Sequence, residues 1–277
     1  MYLKHMAINQ TNSAASIVQT DQVTPEPTIP EPTTPELISP IFNKDGITIY
    51  CCDARKIINQ LPIYDLLLTD PPYCNGYKTN SREVLDQFDA IRGDDDAKTV
   101  LEILYQSWRG LKINRHGYVF GPLTPSQAIA TEVGGVAELI WDKSSMSAGD
   151  LTMPWGASHE SIWFGVKRYI GKRSERTGQL AARLRRGTVL RVSRAGEVSR
   201  SHPTQKPTDL LAQLIEMSTS KGELVFDPFM GTGSTCIAAI LEGRQCIGVE
   251  IERKYCDEAI KRIKNVQALM RKLREFK

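Results

Sequence analysis

Asp65-Leu66-Leu67-Leu68-Thr69 is an unbroken apolar run closed by Asp70-Pro71-Pro72-Tyr73. Consecutive aliphatic residues in an extended chain send apolar groups to both sides. The run therefore belongs in a central strand of a parallel sheet, covered on both faces. The proline pair fixes two backbone angles and removes two N–H donors, so the strand must stop there. In open α/β sheets the working residues lie just past the carboxyl ends of the strands, where Asp70 to Tyr73 stand. This corner offers one carboxylate, bare carbonyls and one aromatic ring. Such a set is ill suited to a metal or a nucleophile and well suited to gripping a planar group that carries an NH2. An ordinary strand-ending turn would look the same locally, so the downstream sequence has to decide.

With 277 residues, 41% of them hydrophobic, and a formal net charge of +3, the chain can build one sizeable α/β core and a small appendage. No apolar run approaches the ~20 residues of a membrane span. The start lacks the basic and apolar parts of a signal peptide. A soluble, cytoplasmic protein is expected. Cys51, Cys52, Cys74, Cys236, Cys246 and Cys256 form no C-x-x-C pair. They read as small core residues in a reducing compartment rather than as a zinc site.

Residues 1–40 carry a Pro/Thr/Glu-rich stretch, Thr24 to Glu36, that can neither form a helix nor pair in a sheet. An extended, mobile N-terminal extension is expected, with one folded domain over residues 41–277. Strands are expected at Ile47–Cys52, Gly117–Gly121, Ala137–Asp142 and Ser161–Val166. Helices are expected at Ala54–Leu61, Asp95–Lys112 and Pro125–Val133. Cys74 to Asp94 shows no period and reads as a long loop beside the corner. Over residues 167–200 the composition turns strongly basic, with only Glu175 and Glu197 opposing the lysines and arginines. Without that segment the chain would be net acidic. A long Arg-dense run set apart from the core pattern points to phosphate contact, weakening with salt.

His202-Pro203-Thr204-Gln205-Lys206-Pro207 leads into a helix ending near Ser220. Strand Leu224–Phe226 then runs into Asp227-Pro228-Phe229-Met230-Gly231-Thr232-Gly233-Ser234, a glycine turn opening a helix to Leu241. Strand Gln245–Ile251 carries Glu250, and a last amphipathic helix runs from Arg253 towards Phe276. Strand, glycine turn, helix, strand and acidic end make half of a nucleotide-binding unit. No Lys follows Gly233, which argues against a phosphate loop, and position 236 is Cys where a dinucleotide fold wants Gly. Asp227 would repel a pyrophosphate but fits a ligand with a positive amine or sulfonium. S-adenosylmethionine has both, plus a ribose for Glu250.

Together, Asp70-Pro-Pro-Tyr73, His202-Pro-Thr-Gln-Lys-Pro207 and Asp227-Pro-Phe-Met-Gly-Thr-Gly233 resemble the DNA amino-methyltransferases of the permuted β class, in which the catalytic motif precedes the cofactor motif. The resemblance covers residue 41 to the end. It implies an α/β, Rossmann-like, seven-stranded and mostly parallel sheet with helices on both faces, a small basic target-recognition insert and S-adenosylmethionine as methyl donor. Asp70, Pro71, Pro72 and Tyr73 resemble the catalytic corner. Asp227, Pro228, Phe229, Gly231, Thr232, Gly233 and Ser234 resemble the cofactor loop, and Glu250 the ribose-binding acid. Asp53 stands where the family often binds the cofactor's adenine. His202, Thr204 and Lys206 resemble the segment beside the methionine end, which Asp70 also adjoins. Lys172, Arg173, Arg176, Arg183, Arg185, Arg186, Arg191 and Arg194 fall in the place of the target-recognition region. Asp142 and His159-Glu160 fall at weaker motifs and read equally as polar groups at strand ends.

What the resemblance implies is methyl transfer to the 6-amino group of adenine in duplex DNA, after the base has been swung out. Asp70 and the Pro72 carbonyl would accept the two amino N–H groups, with Tyr73 stacked on the base. An Asp at the head of the motif favours adenine; relatives acting on the 4-amino group of cytosine more often begin with Ser. An RNA or protein amino-methyltransferase and a non-catalytic DNA-binding homologue are the other readings. Duplex DNA is the expected partner. A second copy of the chain and a cognate restriction endonuclease remain open as further partners, in a bacterial or phage setting.

Overall fold

The structure, a computed structural model, describes residues 37–73, 97–121, 133–145, 154–168, 186–193 and 205–275. The N-terminal extension up to residue 36, the whole 74–94 loop and the helix expected from Pro125 up to residue 132 lie outside the described residues. Ile38–Lys277 is one compact unit.

Its centre is a nine-stranded sheet. In chain order the strands are β1 (Phe42–Lys44), β2 (Ile47–Cys51), β3 (Tyr64–Thr69), β4 (Leu111–Phe120), β5 (Val133–Asp142), β6 (His159–Lys167), β7 (Val189–Arg191), β8 (Leu224–Asp227) and β9 (Gln245–Glu250). Across the sheet they run β1-β2-β9-β8-β3-β4-β6-β5-β7. The seven longer strands are the expected sheet. The two additions, β1 and β7, are three-residue strands at its edges. From β2 to β4 every pairing is parallel, and β6 runs antiparallel between β4 and β5. All parallel strands therefore deliver their carboxyl ends to one edge, and β6 begins at that same edge.

The apolar run places β3 in the middle of this sheet. Leu66 and Leu68 face one apolar cluster, and Tyr64 and Leu67 the other. The side chains of Leu66, Leu67 and Leu68 are all at most 1% exposed. Each buried leucine contributes roughly 1.5–3 kcal/mol relative to an exposed one. One face is covered by α1 (Ala97–Gly110), through Ile103 and Trp108, with Ile57 and Ile58 beside it. The other face is covered by α2 (Thr208–Ser218), α3 (Ser234–Leu241) and α4 (Arg253–Glu275), through Leu210, Leu214, Ile237 and Ile263.

The helix expected over Ala54–Leu61 is instead two 3-10 turns, Ala54–Lys56 and Ile58–Gln60. The two turns meet at Ile57 and together still bury Ala54, Ile57 and Ile58 on one side. β4 starts six residues earlier than its apolar part suggests. Lys112 and Arg115 in that polar part reach back to Asp65, whose carboxylate accepts from Lys112 Nζ at 2.8 Å and from the Leu224 amide at 3.1 Å. The described cysteines are free, and Cys236 Sγ lies 3.4 Å from Cys246 Sγ in the core.

Candidate active site

Four neighbouring parallel strands end in acids at one edge: β3 in Asp70, β8 in Asp227, β9 in Glu250 and β2 in the segment reaching Asp53. The registers Leu67↔Phe226, Phe226↔Ile247 and Cys51↔Glu250 hold these ends level. The Asp-Pro-Pro-Tyr corner and the glycine turn, 157 positions apart by number, thus become neighbours because β3 and β8 pair.

At the corner, Asp70 Oδ1 accepts from the Tyr73 hydroxyl at 2.9 Å, and Oδ2 accepts from Lys206 Nζ at 2.5 Å. Burial lifts the Asp70 carboxyl above the usual range, against the pull of Lys206, and nearby Glu160 lifts it further. Burial alone would lower Lys206, but Asp70 and Glu160 more than offset this and hold its ammonium firmly charged. Burial, with the charge of Asp70, pushes the Tyr73 hydroxyl far up, so it stays a donor. Lys206 Nζ also lies 3.3 Å from the Tyr73 hydroxyl and 5.2 Å from the Phe120 ring centroid. Gly121, just past β4, has φ +92°, and a Cβ there would come within 2.3 Å of the Tyr73 ring. The ring is therefore seated on bare backbone.

The glycine turn is braced from three directions. Asp227 is buried, and its Oδ1 accepts from Thr69 Oγ1 at 2.9 Å and from the Phe229 amide at 3.1 Å. Burial raises this carboxyl to about 6, even though the Thr235 and Thr69 hydroxyls pull it down. Glu250 Oε2 accepts from the Gly231 amide at 2.9 Å and Oε1 from the Glu252 amide at 2.8 Å. Burial raises Glu250 despite these amides. Arg262 of α4 donates to the Thr232 carbonyl at 2.6 Å and to its hydroxyl at 2.9 Å. Gly233 has φ +82°, and a Cβ on it would stand 2.9 Å from that of Ala259. A Cβ on Gly231, by contrast, would meet nothing within 4 Å.

Sequence reasoning and geometry part at several residues. Asp227, whose carboxylate is expected from sequence to suit a positive ligand, uses its Oδ1 to hold Thr69 and the Phe229 amide and so orders the loop. Asp53 caps the first 3-10 turn and pairs with Arg55, its Oδ2 2.6 Å from Arg55 Nη2, which holds its carboxyl below the usual range. Lys167, counted with the basic segment, is buried and donates to the Arg109 and Leu111 carbonyls at 2.5 and 2.7 Å. Arg186 is held by Gln213 and Glu216 of α2 at 2.8 and 2.9 Å. Arg191, at the end of β7, projects with its side chain 79% exposed and 3.4 Å from Asp142 Oδ2. His202, Thr204, Lys172, Arg173, Arg176, Arg183, Arg185 and Arg194 lie outside the described residues. Glu160 opens β6 at the corner, 3.3 Å from Lys206 Nζ, whereas its neighbour His159 is exposed. Thr69, Gly121, Arg262 and Lys143, whose Nζ lies 2.7 Å from Glu160 Oε1, were not singled out from sequence. Only Thr69, adjoining the Asp-Pro-Pro-Tyr corner, had a local signal.

Known proteins match this arrangement. The family model for DNA methylase (N6_N4_Mtase) matches residues 64–261. Type II methyltransferase M2.DpnII of Streptococcus pneumoniae is 27% identical over 251 residues, spanning 82% of this chain and 93% of that protein. The M1.HpyAVI–SAM complex superposes with a TM-score of 0.56 at 24% identity, over 78% of this chain and 98% of that one. The PvuII DNA methyltransferase, described as cytosine-N4-specific, gives 0.58 at 17% identity, over 82% and 93%. The structural likenesses speak for the shared methyltransferase fold. The family match covers most of the chain, which therefore belongs to the DNA methylase family.

Proposed function

We propose that this DNA methylase transfers a methyl group from S-adenosylmethionine to the 6-amino group of adenine in duplex DNA, with the base swung out of the helix. The observation that carries this reading is the adjacency of the Asp70–Tyr73 corner to the Asp227–Ser234 turn, linked by the 2.9 Å bond between Thr69 and Asp227.

The residues present fit the cofactor. Gly231 leaves open space above its Cα, as a closely approaching ligand needs. The Glu250 carboxylate accepts the Gly231 and Glu252 amides on separate oxygens, and its remaining lone pairs keep capacity for a ribose hydroxyl. Phe229, Gly231, Thr232, Gly233 and Ser234 would wall the site, with Asp227 and Pro228 fixing the loop. Asp53 would flank the adenine end, and His202 and Thr204 the methionine end. When bound, the cofactor supplies an electrophilic methyl on a sulfonium.

The protein's own residues then act on the base. An exocyclic amine conjugated with its ring is a poor nucleophile. Asp70 and the Pro72 carbonyl accept its two N–H groups and favour a pyramidal nitrogen with an available lone pair. Positive charge growing on that nitrogen is stabilised by the Asp70 carboxylate, which is already oriented before reaction. Tyr73, its ring fixed by Gly121 and its hydroxyl by Asp70, stacks on the base, worth ~1–3 kcal/mol. Exposed Arg191, with Lys172, Arg173, Arg176, Arg183, Arg185 and Arg194, contacts phosphates. The Asp at the head of the corner supports adenine over cytosine, and a DNA substrate in a bacterium or phage implies work in the cytoplasm.

Mass spectrometry of nucleosides from unmethylated DNA incubated with the protein and S-adenosylmethionine tests the proposal. N6-methyladenine is expected. N4-methylcytosine would keep the chemistry and overturn the base. No methylated base, with cofactor bound, would overturn the reaction.

A further inference from the structure

The catalytic carboxylate is already occupied. Lys206 Nζ sits 2.5 Å from Asp70 Oδ2, the group that must accept an N–H from the target amine. The same ammonium lies 3.3 Å from Glu160 Oε2. Glu160 is anchored in turn by Lys143, whose Nζ is 2.7 Å from Oε1. Two carboxylates and two ammoniums thus alternate in a row, Asp70–Lys206–Glu160–Lys143. The Lys206 and Lys143 side chains are 9% and 6% exposed.

A buried carboxylate without a cation would be strongly disfavoured. A permanent cation on Asp70 would be equally harmful to catalysis. It would fill the acceptor, and it would repel the positive charge that grows on the amine nitrogen. Resting on the reaction proposed above, we infer that Lys206 is a placeholder. It donates to Asp70 while the pocket lacks a base, and it shifts onto Glu160 when the flipped base presents its amine. The amine N–H replaces the ammonium N–H at Oδ2, so Asp70 never loses its donor. Glu160 accepts a cation that is already in contact, and Lys143 keeps Glu160 paired in both states. Lys206 and Glu160 are positioning residues in this scheme, acting through Asp70.

The test is a double-mutant cycle in the full chain, using the DNA site read from the methylated product. Glu160→Gln removes the charge that draws Lys206 away. It is expected to lower kcat/KM for DNA about tenfold or more, with cofactor affinity retained. The loss should fall on kcat at saturating DNA and cofactor, with KM for the cofactor unchanged, and Glu160→Asp, which keeps the charge, should recover much of it. Lys206→Met removes the shuttling charge and should lower activity by itself. In that background Glu160→Gln should add less than about a twofold further loss. Lys206→Gln keeps a donor for Asp70 and serves as the second background if Lys206→Met fails to bind cofactor. An equal loss from Glu160→Gln in both backgrounds would overturn the handover, as would a Glu160→Asp variant that loses as much as Glu160→Gln. A wild-type chain that binds cofactor and methylates no base would overturn the underlying reading, and this inference with it.

Discussion

Thr69 Oγ1 donates to Asp227 Oδ1 across 2.9 Å. Thr69 is the last residue of β3 and Asp227 the last of β8, and the two strands pair in parallel. One side chain thus joins the strand that presents the Asp-Pro-Pro-Tyr corner to the strand that opens the glycine turn. The link is short and buried, so the two halves of the site cannot drift independently.

Asp227 makes stability depend on pH. Its carboxyl ionises near 6 when folded, against 3.8 for an ordinary aspartate, because burial disfavours the anion. The fold prefers the protonated form. This stabilisation is complete below about pH 4 and is lost as the pH rises through about 6. Asp227→Asn keeps an oxygen for Thr69 and Phe229 without the charge. At pH 7.5 it should be more stable than the wild type by up to roughly 3 kcal/mol. The gap should close towards pH 4. Urea melts at both pH values would check this, and a gain of equal size at each would refute it.

Asp70 is the proposed acceptor of the target amine. Asp70→Asn would point an amide at the amine or leave a weaker oxygen there. Methyl transfer should fall by about 10²–10³-fold. The Asp227–Glu250 side is untouched, and Lys206 keeps Glu160 as partner at 3.3 Å. Cofactor affinity by calorimetry should therefore be preserved. Near-normal methylation by this variant would remove Asp70 from the mechanism.

The parts of the fold that were legible in the sequence are those with local signals. Leu66 to Leu68 announce a central strand through unbroken apolarity, and Gly231 and Gly233 announce the turn through spacing. Glu250 follows from counting along a single strand–turn–helix–strand unit. Contacts made by distant residues left no such mark. Thr69 to Asp227, Arg262 to Thr232 and Glu160 to Lys206 all depend on strand order and helix placement, which periodicity does not encode. β1 and β7 are too short to show a period. Arg186 and Lys167 look like solvated basic residues in sequence because their partners, Glu216 and the Arg109 carbonyl, lie elsewhere in the chain.

Gly121 controls the seating of Tyr73. Its φ of +92° already disfavours any side chain, and a Cβ would press to within 2.3 Å of the ring. The ring cannot easily retreat, since its hydroxyl bonds Asp70 at 2.9 Å. Gly121→Ala should lose about 1–3 kcal/mol of stability to backbone strain. It should also lower methyl transfer more than cofactor affinity. An unchanged ratio of rate to affinity would mean that the ring's seat on Gly121 does not matter for the reaction.

Arg186 and Arg191 come from one basic segment but should behave differently on DNA. Arg191 is 79% exposed on its side chain and tethered only loosely, 3.4 Å from Asp142. A phosphate can compete for it. Arg186 is committed to Gln213 and Glu216 and secures the segment to α2. Each phosphate contact contributes a counterion-release slope of about 0.9 in a plot of log affinity against log salt. Arg191→Ala should reduce the slope by about that amount and weaken binding uniformly across sequences. Arg186→Ala should leave the slope nearly unchanged and instead lower the melting temperature slightly, as a half-exposed ion pair is worth ~0–1 kcal/mol. Fluorescence anisotropy at several salt concentrations separates the two. Equal slope changes would show that Arg186 leaves Glu216 for phosphate, and that the whole segment rearranges on DNA.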